Sequence, residues 1–422
     1  MKLNYKRTIL IGLAFLSISS VWQMYDNIIP LILNNTFEMK ETATGVIMAL
    51  DNILALFLLP FFGTLSDKVN TPIGKRMPFI LIGTTVSATA LALLPFAEAK
   101  ENLLLFVIIL FVLLLALGFY RSPAIALMPD LTEKPLRSKG NAIINLMGAV
   151  GGLYALIMIK VLGGKSTYYP LFLSIAIFML VCIAILFFTI KENKLRAEMP
   201  VEDDVQVDNN SPDNSKKKLP KDVKKSLIFI LLSVFLWFFA YNALTSTFSR
   251  YATKVWAMEG GGYADCLMIA MVSAIISYIP IGIIASKIGR KKTIMIGIAL
   301  ITISYLCVGL YSEYHFSIII FFCIIGYAWA SIGVNSLPMV VDICSAGDIG
   351  KYTGYYYTFS MAAQVITPIF SGFLIEKINY RILLPYAVVF STLSFITMSM
   401  VKHGDSKPQA KKSALENFDI ED

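Results

Sequence analysis

The segment PFFGTLSDKVNTPIGKR (residues 60–76) separates two long apolar runs of the chain, and a weaker copy of it, PIGIIASKIGRKK (residues 280–292), separates two more. Both copies begin with proline, continue through small residues and reach a glycine followed by basic residues. Two further loops match at a similar offset, one containing Asp130 and the other Asp342. The sequence therefore predicts two related halves.

The apolar runs around these loops are long enough to cross a bilayer, which needs roughly 17 to 25 residues per helix. The chain has 422 residues, is 57% hydrophobic and 15% charged, and has a mean hydropathy of +0.70. An ordinary soluble domain has about 25% charged residues. We predict an all-α, polytopic membrane protein with twelve transmembrane helices at residues 8–33, 43–63, 77–97, 102–127, 140–162, 169–190, 225–249, 263–285, 293–312, 316–341, 352–375 and 381–401.

One long polar stretch divides six of these spans from the other six. It contains an acidic block, an Asn/Ser/Pro segment and a basic block, a composition typical of a disordered linker. We therefore expect an N-terminal six-helix bundle over residues 1–190, a cytoplasmic disordered linker over 191–224, a C-terminal six-helix bundle over 225–401 and a cytoplasmic tail over 402–422.

The distribution of basic residues predicts the orientation of the chain. An even number of spans leaves both termini on one side, and most of the 36 Lys and Arg residues fall in the tails and loops of that side. Cytoplasmic loops carry such an excess, so we expect cytoplasmic termini and a multi-pass location in the plasma (inner) membrane. The net charge of +8 then reflects topology, and no nucleic-acid partner is expected.

The segment GTLSDKVNTPIGKR (residues 63–76) resembles the loop between spans 2 and 3 of the major facilitator superfamily, G-x-L-x-D-[RK]-x-G-[RK]-[RK], with a longer spacing from Asp67 to Gly74. This spacing, which continues into RMPFI (76–80), is similar to that of the sucrose-proton symporters and the glycoside-pentoside-hexuronide cation symporters. The stretch RSPAIALMPDLTEKPLRSKGNAI (121–143) resembles the region between spans 4 and 5 of the same group. The resemblance implies the major facilitator fold and transport by alternating access, with the substrate held between the halves near the midplane.

Ionisable and amide side chains recur inside three spans of the first half. In the first two spans they follow helical spacing, which places them along one stripe of each helix. A polar stripe is costly in hydrocarbon, so it should face the bundle interior or water. The candidate residues for ion coupling and substrate binding are Asp26, Asn27, Asp51, Asn52 and Arg121, with Gln23 as a further lining residue.

One arginine cannot fully compensate two carboxylates. In the simpler alternative, Arg121 forms a structural ion pair with Asp51 and only orders the helices. The remaining acid should then either stay protonated or bind a cation. We hypothesise that Asp26 and Asp51 hold the coupling ion (H⁺ or Na⁺) and the substrate while Arg121 changes partner during the cycle. No other cofactor and no metal site are expected.

The second half lacks such acids and instead carries aromatic, amide and hydroxyl side chains at helical spacing. These groups suit an uncharged polyol or sugar, whose ring faces stack on aromatic side chains and whose hydroxyls pair with amides. The alternative is hydrogen bonding between helices, at about 0.6 kcal/mol per contact. The candidate lining residues are Trp237, Tyr241, Asn335, Tyr357 and Gln364.

The cytoplasmic loops of the first half carry charges that can pair across helices or cap helix N-termini. The resemblance implies that they form a gate, which latches the cytoplasmic side while the protein opens outward. A solvated surface is the alternative, above all for Lys75 and Lys139. The second half has Ser286 where the Asp of the motif would stand, so no Asp-based gate is expected there. The gate residues are Gly63, Asp67, Gly74, Lys75, Arg76, Asp130 and Arg137.

The resemblance, together with these features, predicts a secondary active transporter, most simply a proton- or sodium-coupled importer of a sugar, glycoside or similar polar solute. Drug or metabolite efflux by proton antiport is the first alternative, and a non-transporting membrane sensor is the second. The chain has no H-E-x-x-H, G-x-S-x-G or C-x-x-C motif, and we do not expect an enzyme. The expected partners are the small solute and the lipid bilayer, with no obligate protein partner evident.

Overall fold

The computed structural model describes residues 3–133, 136–163, 167–197, 220–343 and 349–405. Within these residues all regular secondary structure is helical, and twelve helices are long and apolar enough to cross a membrane. This confirms the predicted fold class. Only a helix or a closed barrel satisfies every backbone hydrogen-bonding group inside a bilayer, which explains why apolar runs of this length become helices.

The helices follow one another in the order of the predicted spans, with one short addition, α7. A single turn of 3₁₀ helix (Tyr380–Ile382) precedes the last helix. The helices are α1 (Tyr5–Asn35), α2 (Glu41–Lys68), α3 (Met77–Ala99), α4 (Leu103–Asp130), α5 (Arg137–Leu162), α6 (Tyr169–Thr189), α7 (Glu192–Ala197), α8 (Lys221–Val255), α9 (Ala264–Ile288), α10 (Arg290–Gly309), α11 (Ile318–Val341), α12 (Ile349–Lys377) and α13 (Leu383–Ser399).

Most helices extend a few residues beyond the predicted apolar runs. Hydropathy marks only the apolar part of a helix, whereas its hydrogen bonding continues into polar flanks and ends at a cap. Asn4 caps α1 by accepting from the Arg7 amide at 3.0 Å, and Asn102 caps α4 by accepting from the Leu105 amide at 3.0 Å. Both are residues favoured at this position because the side-chain oxygen satisfies an otherwise unpaired N–H.

The described residues contain twelve helices that could span the membrane, and this even number places the start of α1 and the end of α13 on the same side. We call this the terminal side and the other the opposite side. Helices α1, α3, α5, α8, α10 and α12 begin at the terminal side, and the other spanning helices end there.

The spanning helices form two sets of six. In the N-terminal half α1 packs mainly against α5, and α3 packs against α4; in the C-terminal half α11 packs against both α9 and α10. In the part of the chain that the structure describes, the halves meet mainly through three helix pairs, α2 with α12, α5 with α9 and α1 with α8. The division of the chain into two six-helix bundles at the predicted bounds stays a prediction, and a space lies between the two sets of helices.

The predicted linker is helical at both of its ends. Residues 192–197 form α7, and α8 already begins at Lys221. The tail likewise begins with described residues, 402–405. Residues 198–219 and 406–422 lie outside the described residues, so the linker and tail predicted there stay predictions.

Glycine allows close helix packing within the C-terminal half. A Cβ atom built on Gly326 of α11 would lie 2.0 Å from the carbonyl oxygen of Ala270 in α9. A Cβ atom built on Gly333, in the same helix, would meet nothing within 4 Å. Only the first glycine is therefore required by packing.

We predict that Gly326→Ala destabilises the protein by roughly 1–3 kcal/mol, because the α9 backbone must move to admit the added methyl group. Gly333→Ala is the matched control in the same helix and should leave the melting temperature unchanged or raise it, since alanine favours helix. Thermal unfolding of the two purified variants in the same detergent checks this. Equal melting temperatures would contradict the packing described here.

Candidate functional site

A central cavity of about 510 Å³ lies between the two halves. Its walls come from α1, α2, α4 and α5 on one side and from α8, α9, α11 and α12 on the other. This is the volume range of sites that bind small molecules, about 300–1,000 Å³. Three of the described residues that line the cavity are acidic or basic, and all come from the N-terminal half: Asp26, Asp51 and Arg121.

The two aspartates share the middle of the membrane. Asp26 of α1 and Asp51 of α2 each lie roughly 15 Å along their helices from the opposite-side ends, at 1.5 Å per residue. Their charges are close enough to interact, and the charge of Arg121 interacts with that of Asp51. Asn52 Nδ2 donates a hydrogen bond of 2.8 Å to Asp51 Oδ1. The predicted ionisable residues therefore form one cluster.

An aromatic ring lies beside this cluster. The guanidinium carbon of Arg121 lies 5.6 Å from the centre of the Trp22 ring, within the range of a cation–π contact. Gln23, the neighbour of Trp22 in α1, also lines the cavity, as Asn52 does. This wall thus combines charge, amides and one indole ring.

The facing wall, from the C-terminal half, carries no charge among the described residues that line the cavity. Tyr241 of α8 stacks on Trp329 of α11, with ring centres 3.6 Å apart and planes inclined by 6°. Gln364 of α12 and Asn242 of α8 add amide groups. Tyr241 and Gln364 were predicted to line the site, whereas Trp329 and Asn242 were not singled out from the sequence.

Four predicted site residues lie outside this cavity. Asn27 is 1% exposed and donates to the backbone oxygen of Gln23 at 2.8 Å. Asn335 is 2% exposed and donates to the backbone oxygen of Ser331 at 2.9 Å. The amide nitrogen of each residue is therefore engaged within its own helix.

The other two predicted residues outside the cavity are aromatic. Trp237 is 2% exposed and belongs to an apolar cluster near the terminal ends of α8 and α11, and Tyr357 packs against the same cluster. The helical spacing that linked them to Tyr241 and Gln364 correctly identified a stripe of each helix. The spacing did not show that the part of each stripe nearer the terminal side lies outside the cavity.

The two halves are in tight contact on the opposite side. A Cβ atom built on Gly45 of α2 would lie 2.1 Å from the carbonyl oxygen of Pro368 in α12, and one on Gly372 would lie 2.5 Å from the carbonyl oxygen of Glu41. Lys160 Nζ of α5 and Asp265 Oδ1 of α9 form an ion pair of 2.6 Å across the same interface. The cavity is therefore closed toward the opposite side.

A family model for the Major Facilitator Superfamily matches residues 11–271 and 260–418 of the chain. The protein belongs to the major facilitator superfamily. It is accordingly a membrane transporter and not an enzyme, as predicted.

Two curated relatives match part of this transporter. The sucrose transport protein SUC3 of Arabidopsis thaliana is 28% identical over 137 residues, which are 28% of this chain and 23% of that protein. The lactose permease of Lactobacillus helveticus is 34% identical over 117 residues, which are 26% of this chain and 18% of that protein. The matched segment thus spans less than a quarter of either relative.

Solved structures match this transporter over almost its whole length. The nucleoside transporter NupG has a TM-score of 0.67, 16% identity and coverage of 95% of this chain and 100% of that chain. The POT family transporter PepTSo has a TM-score of 0.68, 12% identity and coverage of 96% of this chain and 100% of that chain. At these identities the likeness shows the fold.

The superfamily motif between α2 and α3 forms a charged network at the terminal side. Arg76 Nε donates to Asp130 Oδ2 at 2.8 Å, and its Nη2 donates to Asp67 Oδ1. Its Nη1 donates to the hydroxyl of Ser66 and lies 3.4 Å from the Gly63 carbonyl oxygen. Arg76 itself is 4% exposed, so this arginine is the centre of the network.

The neighbouring basic residues have different surroundings. Lys75 Nζ lies 3.1 Å from Asp130 Oδ2 and 3.9 Å from Asp67 Oδ1, and its side chain is only 11% exposed. The solvated alternative for Lys75 is therefore wrong. Arg137 Nε donates to the backbone oxygen of Thr132 at 3.1 Å. These contacts thus join five of the seven predicted gate residues in one network within the N-terminal half: Gly63, Asp67, Lys75, Arg76 and Asp130.

A buried glutamate that the sequence did not reveal holds this loop in place. Glu192, the first residue of α7, is 1% exposed. Its carboxylate oxygens accept from the backbone amides of Lys75, Arg76 and Met77 at 2.9–3.1 Å. The carboxylate therefore caps the N-terminus of α3, where unpaired amides and the helix dipole favour negative charge.

The loop needs a glycine next to this carboxylate. Gly74 has a φ of +124°, a conformation that residues with a side chain rarely adopt, and a Cβ atom there would lie 2.0 Å from Glu192 Oε2. Asn193 Nδ2 adds bonds to the carbonyl oxygens of Thr71 and Pro72 at 2.8 and 2.9 Å. The start of the predicted linker is therefore fastened to the motif loop.

The C-terminal half repeats the same device with other residues. Arg290 Nη1 lies 3.1 Å from Asp342 Oδ2, as Arg76 pairs with Asp130. Asp405 Oδ1 accepts from the Lys291 amide at 3.0 Å, and Gly289, which precedes α10, has a φ of +96°. Because Ser286 replaces the motif's aspartate, we expected no Asp-based gate in this half, and that stays a prediction. An arginine–aspartate pair is nevertheless present.

The two capping carboxylates occupy equivalent positions in the two repeats, and this equivalence could have identified them from the sequence. Glu192 lies just after the sixth span and Asp405 just after the twelfth, so they occupy equivalent places in the two repeats. Each reaches the N-terminus of the third helix of its own half. The repeat was visible in the sequence, but the contact joins segments too far apart in the chain for local spacing to reveal it.

We predict that Glu192→Gln lowers the stability of the transporter by about 0.5–2 kcal/mol, because one acceptor oxygen and the negative charge at the α3 N-terminus are lost. Thermal unfolding of the purified protein measures the effect. Glu313→Gln, which neutralises an exposed carboxylate in the loop between α10 and α11, is the control and should leave the melting temperature unchanged. A Glu192→Gln variant as stable as this control would contradict the capping role.

Proposed function

We propose that the protein imports a sugar, glycoside or similar polar solute by alternating access, coupled to a proton or sodium gradient. One observation carries the proposal. Asp26, Asp51 and Arg121 line one wall of the same cavity between the halves. Relatives that match part of the chain are a sucrose transport protein and a lactose permease, which supports a sugar as the solute.

The charge of the cavity favours a coupling cation. With both aspartates ionised, Arg121 leaves one negative charge uncompensated among the described residues that line the cavity. A charge near the centre of the membrane costs a few kcal/mol on insertion scales, and two nearby carboxylates repel each other. Binding of H⁺ or Na⁺ removes this repulsion. A cavity that accepts a cation together with its solute therefore has the chemistry of a symporter.

The facing wall favours a neutral ring-shaped solute. The stacked pair of Tyr241 and Trp329 offers a broad aromatic surface, on which the C–H faces of a sugar ring can lie. Gln364 and Asn242 supply amide groups for hydroxyls. Solute binding between this wall and the charged wall would place one molecule in contact with both halves.

The basic residues favour a cytoplasmic terminal side and the plasma (inner) membrane. The structure is then the inward-facing form of the cycle, since the halves are in contact on the opposite side. In this proposal the network around Arg76 latches the terminal side when the cavity opens outward. Asp67 is its most exposed carboxylate, with 58% of its side chain accessible, and is available to a partner from the other half.

Efflux by proton antiport is the second candidate. The Trp22 ring lies in the same cavity as Asp26, and an acid beside an aromatic ring suits a cationic solute. Arg121 in the same wall opposes a cation, which favours the importer. Drug resistance conferred by expression of the protein would support efflux instead.

We predict that the Asp→Asn variant at the coupling position loses gradient-driven accumulation but keeps solute counterflow, because a neutral amide cannot exchange the ion. Asp26→Asn and Asp51→Asn are reconstituted separately in proteoliposomes and tested with labelled glycosides under imposed pH and sodium gradients. If the other aspartate binds solute, its Asp→Asn variant should lose both gradient-driven accumulation and counterflow.

Asp222→Asn is the matched control, since Asp222 is exposed at the start of α8. It should accumulate solute like the unmodified protein. Full ion-driven accumulation by both cavity variants would refute the coupling role.

A further inference from the structure

A buried ion pair joins the two halves on the opposite side of the membrane. Arg250 Nη1 donates to Glu41 Oε2 at 2.7 Å, and the two side chains are only 4% and 8% exposed. The Tyr380 hydroxyl bonds to the other carboxylate oxygen, Oε1, and lies 3.0 Å from Asn34 Oδ1. Both oxygens of the carboxylate are thus engaged.

The members of this cluster come from both halves. Glu41 begins α2 and Asn34 lies near the end of α1, in the N-terminal half. Arg250 lies near the end of α8, and Tyr380 lies in the turn before α13, in the C-terminal half. The halves cannot separate at this point without breaking the ion pair.

We propose that Glu41, Arg250 and Tyr380 form the gate that keeps the cavity closed on the opposite side, and that the separation of Glu41 from Arg250 opens it. The inference rests on the alternating-access cycle proposed above and adds the residues that control one of its two steps. The ion-coupling residues are not part of this gate.

The cost of burying a charge makes the Glu41–Arg250 pair suitable for switching between a closed and an open interface. While the interface is closed, each charge is compensated by its partner and by hydrogen bonds; Arg250 Nη2 also donates to the Ser246 carbonyl oxygen at 3.0 Å. Once the interface is open, water hydrates both groups. A buried charge that has lost its partner is much less favourable than either state, because it keeps the desolvation penalty without compensation.

Neutralising only one partner should therefore favour the open state. Glu41→Gln leaves the Arg250 charge buried and uncompensated while the gate is closed, whereas water hydrates it when the gate is open. Removal of one partner from a buried pair costs on the order of 3–5 kcal/mol, so we expect the closed-to-open ratio to fall by about 100-fold or more.

The chain contains a matched control. Lys160 and Asp265 also join the two halves on the opposite side, at 2.6 Å, but their side chains are 51% and 34% exposed. Exposed pairs contribute about 0–1 kcal/mol, so Lys160→Gln should change the ratio by less than about fivefold.

The experiment measures the opposite-side opening directly and without solute. In a protein whose five cysteines are replaced by serine, spin labels are attached at Lys100→Cys and Glu313→Cys, two exposed positions in opposite-side loops of different halves. The label–label distance distribution is recorded by pulsed electron paramagnetic resonance. Glu41→Gln should shift the population to longer distances, and Lys160→Gln should not. An unchanged distribution in Glu41→Gln would overturn the gate.

A double variant separates gating from a merely structural role. Glu41→Gln combined with Arg250→Gln leaves no stranded charge, so its distance distribution should return toward that of the unmodified protein. If the pair only supports folding, the effects of the two substitutions on the distance distribution should add, and that result would overturn the proposal.

Tyr380→Phe is a milder test for the case in which Glu41→Gln does not fold. It should shift the ratio in the same direction by about 2- to 10-fold, and no shift would count against the gate.

The readout is independent of transport. A shift in Glu41→Gln together with full accumulation by both aspartate variants of the cavity would support the gate and refute ion coupling. An unchanged distance distribution in Glu41→Gln, together with loss of accumulation in an aspartate variant of the cavity, would refute the gate and leave the coupling proposal intact.

Discussion

The structure depends on a constraint set by the bilayer: an ionisable side chain inside the hydrocarbon must face protein or water. Asp26, Asp51 and Arg121 meet it by lining a cavity between the two halves of the chain. The backbone obeys the same constraint, which is why every span is a helix. A single six-helix bundle would need to enclose these charges permanently. Two bundles that meet around them can instead expose them to water, and this makes a pathway for solute possible.

The two halves are each held together at the terminal side and are joined to each other at the opposite side. Within each half, a carboxylate that follows the last span caps the third helix, Glu192 in the first and Asp405 in the second. These contacts lie inside one half, so they can persist when the halves move. The Glu41–Arg250 pair joins one half to the other, so it must break when the halves separate at this point. The difference suggests two rigid bodies with a separable contact, which is how the known parallel-repeat transporters are organised.

The sequence predicted the elements whose signal is local. Hydropathy identified the twelve spans, and helical spacing put Asp26 and Asp51 on a polar stripe of α1 and of α2, both of which line the cavity. Asn335 shared the helical spacing of a lining residue and yet bonds within its own helix, because spacing alone does not show which part of a stripe faces the gap. The Glu41–Arg250 pair joins residues more than 200 positions apart, and Glu192 was assigned to a linker by its polar neighbours. Such contacts depend on how helices assemble, which composition does not record.

The central claim, that the aspartates face an aqueous cavity accessible from the terminal side, is tested most directly by thiol labelling. In a protein whose five cysteines are replaced by serine, Asn52→Cys lies in the cavity next to Asp51, and Phe57→Cys, at a position that is 70% exposed and outside the cavity lining, is the control in the same helix. A charged, membrane-impermeant thiol reagent is applied to sealed vesicles from each side. We expect Asn52→Cys to react from the terminal side faster than from the opposite side, and faster than Phe57→Cys. No reaction of Asn52→Cys from either side would contradict the central claim.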